Sequence, residues 1–395
     1  MLAVGLMLAM TTWFSTSAVL SELRSRWSLS TNESSVLIVV LQLGFVVGAV
    51  VSAVAGLPDK VPPRSLIAVS ALLAAIVNGA IVAVDSYGPA VLLRFLTGAF
   101  LAGVYPPSLK LIATWYQSSR GMAMGVMVAA VTVGSATPHL VNAFGGIRWS
   151  TVMITTSLLT VVGGLVVARF VRDGPFSFPA SSFELREAWH ALSQRDVRLA
   201  SLAYFGHMWE LYAMWAWIAV FLGDQIDRRG SDLNASALAF VVIAAGAIGS
   251  VVAGAWGDRV GKARAASVAM LLSGTASLVI GIPELPLWLI VGIAVVWGVT
   301  VVADSAQFSA IVSERADQRY VGTALTVQLA LGFLLTVATI WLVPFVRDHF
   351  GWWAALALLA PGPLLGAWAL ARLDDPRVAS DHGVASAARG SASIG

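Results

Sequence analysis

About twelve long apolar runs follow one another along this chain, at 2–20, 35–56, 65–84, 89–113, 121–143, 149–170, 199–223, 235–256, 265–283, 286–308, 321–346 and 351–371. No other feature constrains the fold as much. A helix rising about 1.5 Å per residue needs roughly 20 mostly apolar residues to cross about 30 Å of hydrocarbon. In lipid no water satisfies the backbone amides, so a lone run of this length must close its hydrogen bonds within itself, as a helix does. Composition agrees: 58% of the residues are hydrophobic and 11% charged, where a soluble domain carries roughly 25% charged residues. The expectation is an all-α integral membrane protein. The net charge of +3 carries no nucleic-acid signal, because the bases are scattered singly rather than gathered in a stripe. Cysteine is absent, which removes disulfides and Cys-based metal sites. The chain is apolar from Leu2, with no basic stretch before it and no Ala-x-Ala cleavage site of the secretory kind, and reads as a retained first span; a start further upstream fits equally well.

The longest polar break, Val171 to Leu199, divides the runs six and six. The expected organisation is therefore an N-terminal six-helix bundle (1–170), a linker (171–198), a C-terminal six-helix bundle (199–372) and a polar, low-complexity tail (373–395) expected to be disordered. Within the linker, Ser182 to Leu192 reads as an amphipathic helix on the membrane surface. Lys and Arg set the orientation. With the first, polar connection after run two placed in the cytoplasm together with both termini, that side holds about 16 bases against 6 on the other. The expected location is the cytoplasmic (inner) membrane, multi-pass. Arg24 and Arg26, just after the first run, are a local exception.

Two of the polar connections echo one another. The first carries Gly56, Asp59, Lys60 and Arg64; the second carries Gly254, Asp258, Arg259, Gly261 and Lys262. Each has a glycine ahead of an acid, a base directly after it and a further base closing the loop, and the two acids stand 199 positions apart. Self-similarity on that scale is the signature of a repeat.

Twelve spans, a central cytoplasmic break and these loops resemble the major facilitator superfamily over nearly the whole chain. The downstream loop matches the family's loop motif well. The upstream copy departs: Ala55 stands at the first glycine, Gly56 is shifted by one, and Pro62 and Pro63 replace the second. Arg94 and Gly98 are similar to the family's Arg-x-x-x-Gly in span 4. Gly125, Gly134 and Pro138 partly resemble its antiporter motif in span 5, with the proline one position early. The resemblance implies the fold of two pseudo-symmetric six-helix bundles, secondary transport by alternating access, and loops that hold the halves closed on the cytoplasmic side. It ties Arg94 to proton coupling.

Ionisable groups inside lipid cost a few kcal/mol and usually face a cavity or one another, which singles out Arg94, Lys110, Glu210 and Asp304. His207 and Glu210 are three apart on one helix face, with Trp217 seven beyond. This stretch reads either as a proton-coupling acid with an aromatic cation floor or as structural hydrogen bonds to another span. Asp304, with Ser305 and Gln307 beside it, offers polar ligands or a salt bridge; under the repeat it falls near Tyr105, across a central cavity. Lys110 pairs with a substrate carboxylate or snorkels to the interface. Pro106 and Pro107 kink its helix. Thr11, Thr12, Trp13, Ser15 and Ser17 either line the cavity or bond their own backbone. His139, beside Pro138, is expected to be structural.

The expected substrate-binding set is Lys110, Arg94, Tyr105, Trp13, Trp217 and Gln307, and the proton-coupling set is Glu210, Asp304 and His207. The expectation is a proton-coupled secondary transporter of a small organic, anionic solute, working as a monomer among membrane lipids. Its alternative is a drug or metabolite/proton antiporter, or a non-transporting sensor. No nucleotide-binding Gly-x-x-x-x-Gly-Lys-Ser/Thr stretch and no His-Glu-x-x-His or Gly-x-Ser-x-Gly motif occurs. No cofactor, metal, nucleic-acid partner or enzymatic activity is expected.

Overall fold

A computed structural model describes residues 1–116, 120–144, 148–176, 193–315 and 321–373. The expected linker helix at 182–192 and the tail beyond 373 lie outside the described residues. Every regular element among those described is helical. Eight stretches are long and apolar enough to cross a membrane unaided, and the last of them, Ala324–Leu373, is two spans folded at Gly351. With the broken span 1 and the more polar spans 7 (Arg195–Arg228) and 9 (Lys262–Val279), the fold has twelve spans. Exposed apolar side chains that suit a bilayer occur on both halves, among them Leu72 and Leu158 of the first and Ile248, Leu271 and Leu365 of the second.

Local chemistry explains the elements. Span 2 (Thr31–Val54) opens on a capping box: Ser30 Oγ accepts from the Glu33 amide, and the Glu33 carboxylate accepts from the Ser30 amide at 2.9 Å. It ends at Gly56, whose φ of 64° needs the left-handed region open to glycine, while Lys60 Nζ donates to the Ala55 carbonyl at 2.8 Å. Span 1 is broken into Leu2–Ala9, Met10–Thr12, Ser15–Ala18 and Leu20–Trp27. Its hydroxyls compete for the ladder: Thr11 Oγ1 donates to the Leu8 carbonyl and Ser15 Oγ to the Thr12 carbonyl, each at 2.9 Å.

The repeat seen in the loops extends into the packing. Span 4 crosses span 2 at Gly98, where an added Cβ would fall on the Leu41 carbonyl; span 10 crosses span 8 at Gly298, where it would fall on the Val242 carbonyl. Span 4 breaks between Tyr87–Leu101 and Tyr105–Ala113, with Pro106 and Pro107 opening the second piece. Span 10 breaks between Leu287–Ala303 and Ser305–Arg315, at Asp304. These are equivalent positions under the repeat. Span 7, the counterpart of broken span 1, runs unbroken.

The first half continues with spans 3 (Pro63–Ala80), 5 (Arg120–Ala143) and 6 (Trp149–Phe170), the second with span 8 (Ala235–Val260). Span 5 packs along span 8, and span 2 along span 11, the part of the last stretch before Gly351. The chain leaving span 6 is strapped to the end of span 4. The Gly174 amide donates to Thr114 Oγ1 at 3.0 Å, the Phe176 amide to the Thr114 carbonyl at 3.0 Å, and Trp115 Nε1 to the Arg172 carbonyl at 3.1 Å.

Candidate functional site

The break in span 1 leaves carbonyls without helical partners, and Arg94 supplies them. Its guanidinium, 1% exposed, donates to the carbonyls of Thr12 (3.1 Å) and Trp13 (2.7 Å), to Ser15 Oγ (3.2 Å) and to Asn78 Oδ1 (3.1 Å). Asn78, from span 3, is buried and donates onward to Ser157 Oγ of span 6. Arg94 is thus inside the first bundle, tying spans 1, 3 and 4. The only sequence signal for Asn78 is an amide inside the apolar run 65–84.

The matching junction of the second half buries the opposite charge. Glu210 of span 7 is 1% exposed and accepts from Ser273 Oγ of span 9 at 2.8 Å and from Trp297 Nε1 of span 10 at 2.7 Å. It turns into the bundle, toward partners that a scan for ionisable residues does not single out. His207 shares no contact with Glu210. Its Nδ1 lies 2.8 Å from Asp304 Oδ1 and its Nε2 is 2.8 Å from Ser305 Oγ, so the imidazole bridges the break in span 10. Three residues apart, the two side chains point about 60° from one another round the helix and meet different neighbours.

Between the halves sits a buried ring cluster. Trp13 packs against Phe45 (5.0 Å between centroids), Tyr212 (5.8 Å) and Phe333 (5.6 Å); Phe14 packs against Tyr212 and Trp215. Spans 1 and 2 of one half thereby meet spans 7 and 11 of the other. Tyr105 and Lys110, on the lower piece of span 4, are half-buried, and Tyr105 packs against the core cluster that includes Tyr204 and Tyr212. Asp304 is engaged by His207. Trp217 donates to the Ile340 carbonyl of span 11 at 2.9 Å and takes no part in the Glu210 contacts. Gln307 is fully buried between spans 10 and 8, donating to the Ala253 carbonyl at 3.2 Å and lying against Gly257, away from the ring cluster.

Polar contacts join the halves at the end opposite the Asp59 and Asp258 loops. Asn142 Nδ2 donates to Ser236 Oγ (2.9 Å), Asn234 Nδ2 to the Ala143 carbonyl (3.1 Å) and Trp341 Nε1 to Asn32 Oδ1 (2.6 Å). At the loop end, spans 5 and 8 approach through Gly125, where an added Cβ would lie 2.7 Å from the Ser250 carbonyl, and through Gly254, facing Gly121. The Asp258 carboxylate lies against Gly121, in the first turn of span 5, where a helix dipole favours an anion. Gly261, at φ 100°, opens span 9, and Lys262 Nζ pairs with Glu314 at 2.6 Å. Arg259 and Arg64 are exposed; the side chain of Asp59 lies outside the described set. Among the described residues no three His, Asp or Glu side chains are grouped to hold a metal ion.

The family model described as Major Facilitator Superfamily matches residues 2–338. A probable sulfoacetate transporter (SauU) of Cupriavidus necator is 25% identical over 243 residues, 55% of this chain and 56% of that protein. The uncharacterized transporter ESBP6 of Saccharomyces cerevisiae is 24% identical over 178 residues, 43% of this chain and 26% of that protein. The matches thus span about half and about a quarter of those relatives' lengths. Among solved structures, the human organic anion transporter MFSD10 (TETRAN) superposes with a TM-score of 0.70 at 16% identity, covering 93% of this chain and 97% of that one.

Proposed function

The chain belongs to the major facilitator superfamily, and on that premise we propose that it is a proton-coupled secondary transporter of a small organic anion, its two bundles rocking about the central ring cluster. One observation carries the reading. Rings from both halves meet at mid-depth, polar contacts close one end, and Tyr105 and Lys110 are half-buried toward the other. The loop end faces the cytoplasm in this reading, as its excess of bases favours. The Asp59 and Asp258 loops act there as the closing elements, with Gly56, Gly254, Gly261, Lys60, Arg64, Arg259 and Lys262 as their parts.

Lys110 supports an anionic cargo, as do the names of the sulfoacetate and organic anion transporters to which the chain is similar. Glu210 and Asp304 support proton coupling. Glu210 is held by neutral donors, and Asp304 is paired with the His207 imidazole. The test is uptake of sulfoacetate and small carboxylates into proteoliposomes under an inward acid gradient. Accumulation is expected, with its pH dependence lost in Glu210→Gln and in Asp304→Asn. Unchanged uptake and pH profile in both variants would refute the coupling. Exchange-driven efflux is the second reading, favoured by Gly125 and Gly134 of span 5. A sensitivity screen against cationic drugs and dyes separates the two, since an anion importer protects against none.

A further inference from the structure

Satisfied hydrogen bonding is the rule for buried polar atoms, and each exception calls for a reason. Among the described residues, one group of these exceptions lies on span 1 and on the spans packed against it. Trp13 Nε1, Trp215 Nε1, Thr12 Oγ1, Thr16 Oγ1 and both ring nitrogens of His139 are buried with no partner. Trp13 and Trp215 both pack on Tyr212, at 5.8 and 5.7 Å. Thr12 and Thr16 belong to the broken stretch of span 1 that carries Trp13. His139 stands on span 5 between Gly134, which abuts Met7 and Met10 of span 1, and Asn142, which donates to the Ala18 carbonyl. All five residues lie where span 1 meets spans 5 and 7, and each is no more than 2% exposed.

The indole N–H groups only donate, and the hydroxyls and an imidazole nitrogen can donate. None of these five residues is a permanent cation; the nearby Arg94 spends its two terminal nitrogens inside the first bundle, and its Nε is buried without a partner at the same break in span 1. We propose that Trp13, Trp215, Thr12, Thr16 and His139 are a set of neutral donors that receives the oxyanion head group of the solute once the halves part at the end opposite the loops. The proposal rests on the transport reading above and deepens it. The carboxylate or sulfonate is recognised by hydrogen bonds from uncharged groups, and the surrounding rings take the apolar remainder. In the closed arrangement these donors meet nothing, so the empty protein gains by opening that end, and the solute completes the set.

The experiment uses the full chain in detergent micelles, with binding of sulfoacetate, malonate and uncharged malonamide measured calorimetrically. Trp13→Phe and Trp215→Phe keep a ring and delete an N–H; Thr16→Val keeps the shape and deletes a hydroxyl, which covers the case of a ring substitution that disturbs packing. Each deleted donor to a charged group is expected to weaken binding of the anion about ten- to a hundredfold, with malonamide bound weakly throughout and the melting point of the empty protein unchanged or raised. Anion affinity equal to wild type in all three variants overturns the proposal and leaves the transport reading standing. Wild-type protein that binds neither anion, under conditions where it is folded, overturns the anionic reading together with the proposal. The chain has no cysteine, so Thr16→Cys gives an independent readout. Modification by a small thiol reagent that sulfoacetate slows is expected, and no modification under any condition contradicts an opening at this level.

Discussion

Replacing Arg94 by methionine tests whether this cation is an internal tie rather than a solute contact. The guanidinium makes four hydrogen bonds, to the Thr12 and Trp13 carbonyls, Ser15 Oγ and Asn78 Oδ1. Bonds to charged groups contribute roughly 1.5–3 kcal/mol each, which bounds the loss at about 6–12 kcal/mol. Much of that returns. The desolvation penalty of the buried cation disappears, and Ser15 Oγ, with its single hydrogen, still serves either the Thr12 carbonyl or Asn78 Oδ1. What remains is chiefly an orphaned Trp13 carbonyl and an unbraced break in span 1, about 3 kcal/mol. For a unit the size of one bundle, each kcal/mol moves the midpoint by about 2–4 °C, so Arg94→Met is expected to melt roughly 6–12 °C below wild type. Arg94→Lys falls between them, because one ammonium cannot reach four acceptors set for a planar fork. Intrinsic fluorescence of the 15 tryptophans follows the melt in detergent. A midpoint for Arg94→Met within 2 °C of wild type, alongside lost transport, would refute the tie and return Arg94 to the solute site.

Other expectations follow from the contacts between the halves. Gly125→Val drives a side chain into the Ser250 backbone; overpacking costs about 1–3 kcal/mol, so uptake is expected to fall at least about tenfold and the melting point by several degrees, and normal uptake would mean that spans 5 and 8 need not approach. Trp341→Phe deletes the donor to Asn32. A bond contributing about 1 kcal/mol shifts the equilibrium roughly fivefold toward the form open at that end, read as faster thiol labelling of an engineered cysteine there. Ser305→Ala removes one contact of His207 and leaves Asp304 in place; a bond contributing about 1 kcal/mol is expected to lower the melting point by about 2–4 °C, and an unchanged midpoint would mean that Asp304 alone holds the ring.

The fold was legible because lipid leaves so few options. Run length alone gave the spans, and the doubled loop gave the two halves, a duplication the Gly98 and Gly298 crossings repeat in the packing. Pro106 and Pro107 announced the break in span 4. The break in span 1 was harder to see, because Thr11, Ser15 and their neighbours disrupt a helix only if they turn back on the backbone, a choice that tertiary contacts decide. The site was legible in its charges and not in its partners. Arg94, Glu210 and Asp304 stand out by residue type, whereas Asn78, Ser273 and Trp297 become visible only once three spans converge. Helical phase placed His207 and Glu210 on one face, and both do meet span 10, but at different levels: Glu210 at Trp297, together with Ser273 of span 9, and His207 at Asp304 and Ser305.

The strap on Thr114 and Trp115 has a consequence for how the first bundle can move. Because Gly174 and Phe176 are fastened to the end of span 4, and the Arg172 carbonyl accepts from Trp115, the loop-side ends of spans 4 and 6 are coupled and shift together. In the rocking proposed above, that end of the first bundle moves as one piece, and the contacts left to break and reform are those between the halves, at Asn32 and Trp341 on one end and along Gly125 and Gly254 on the other.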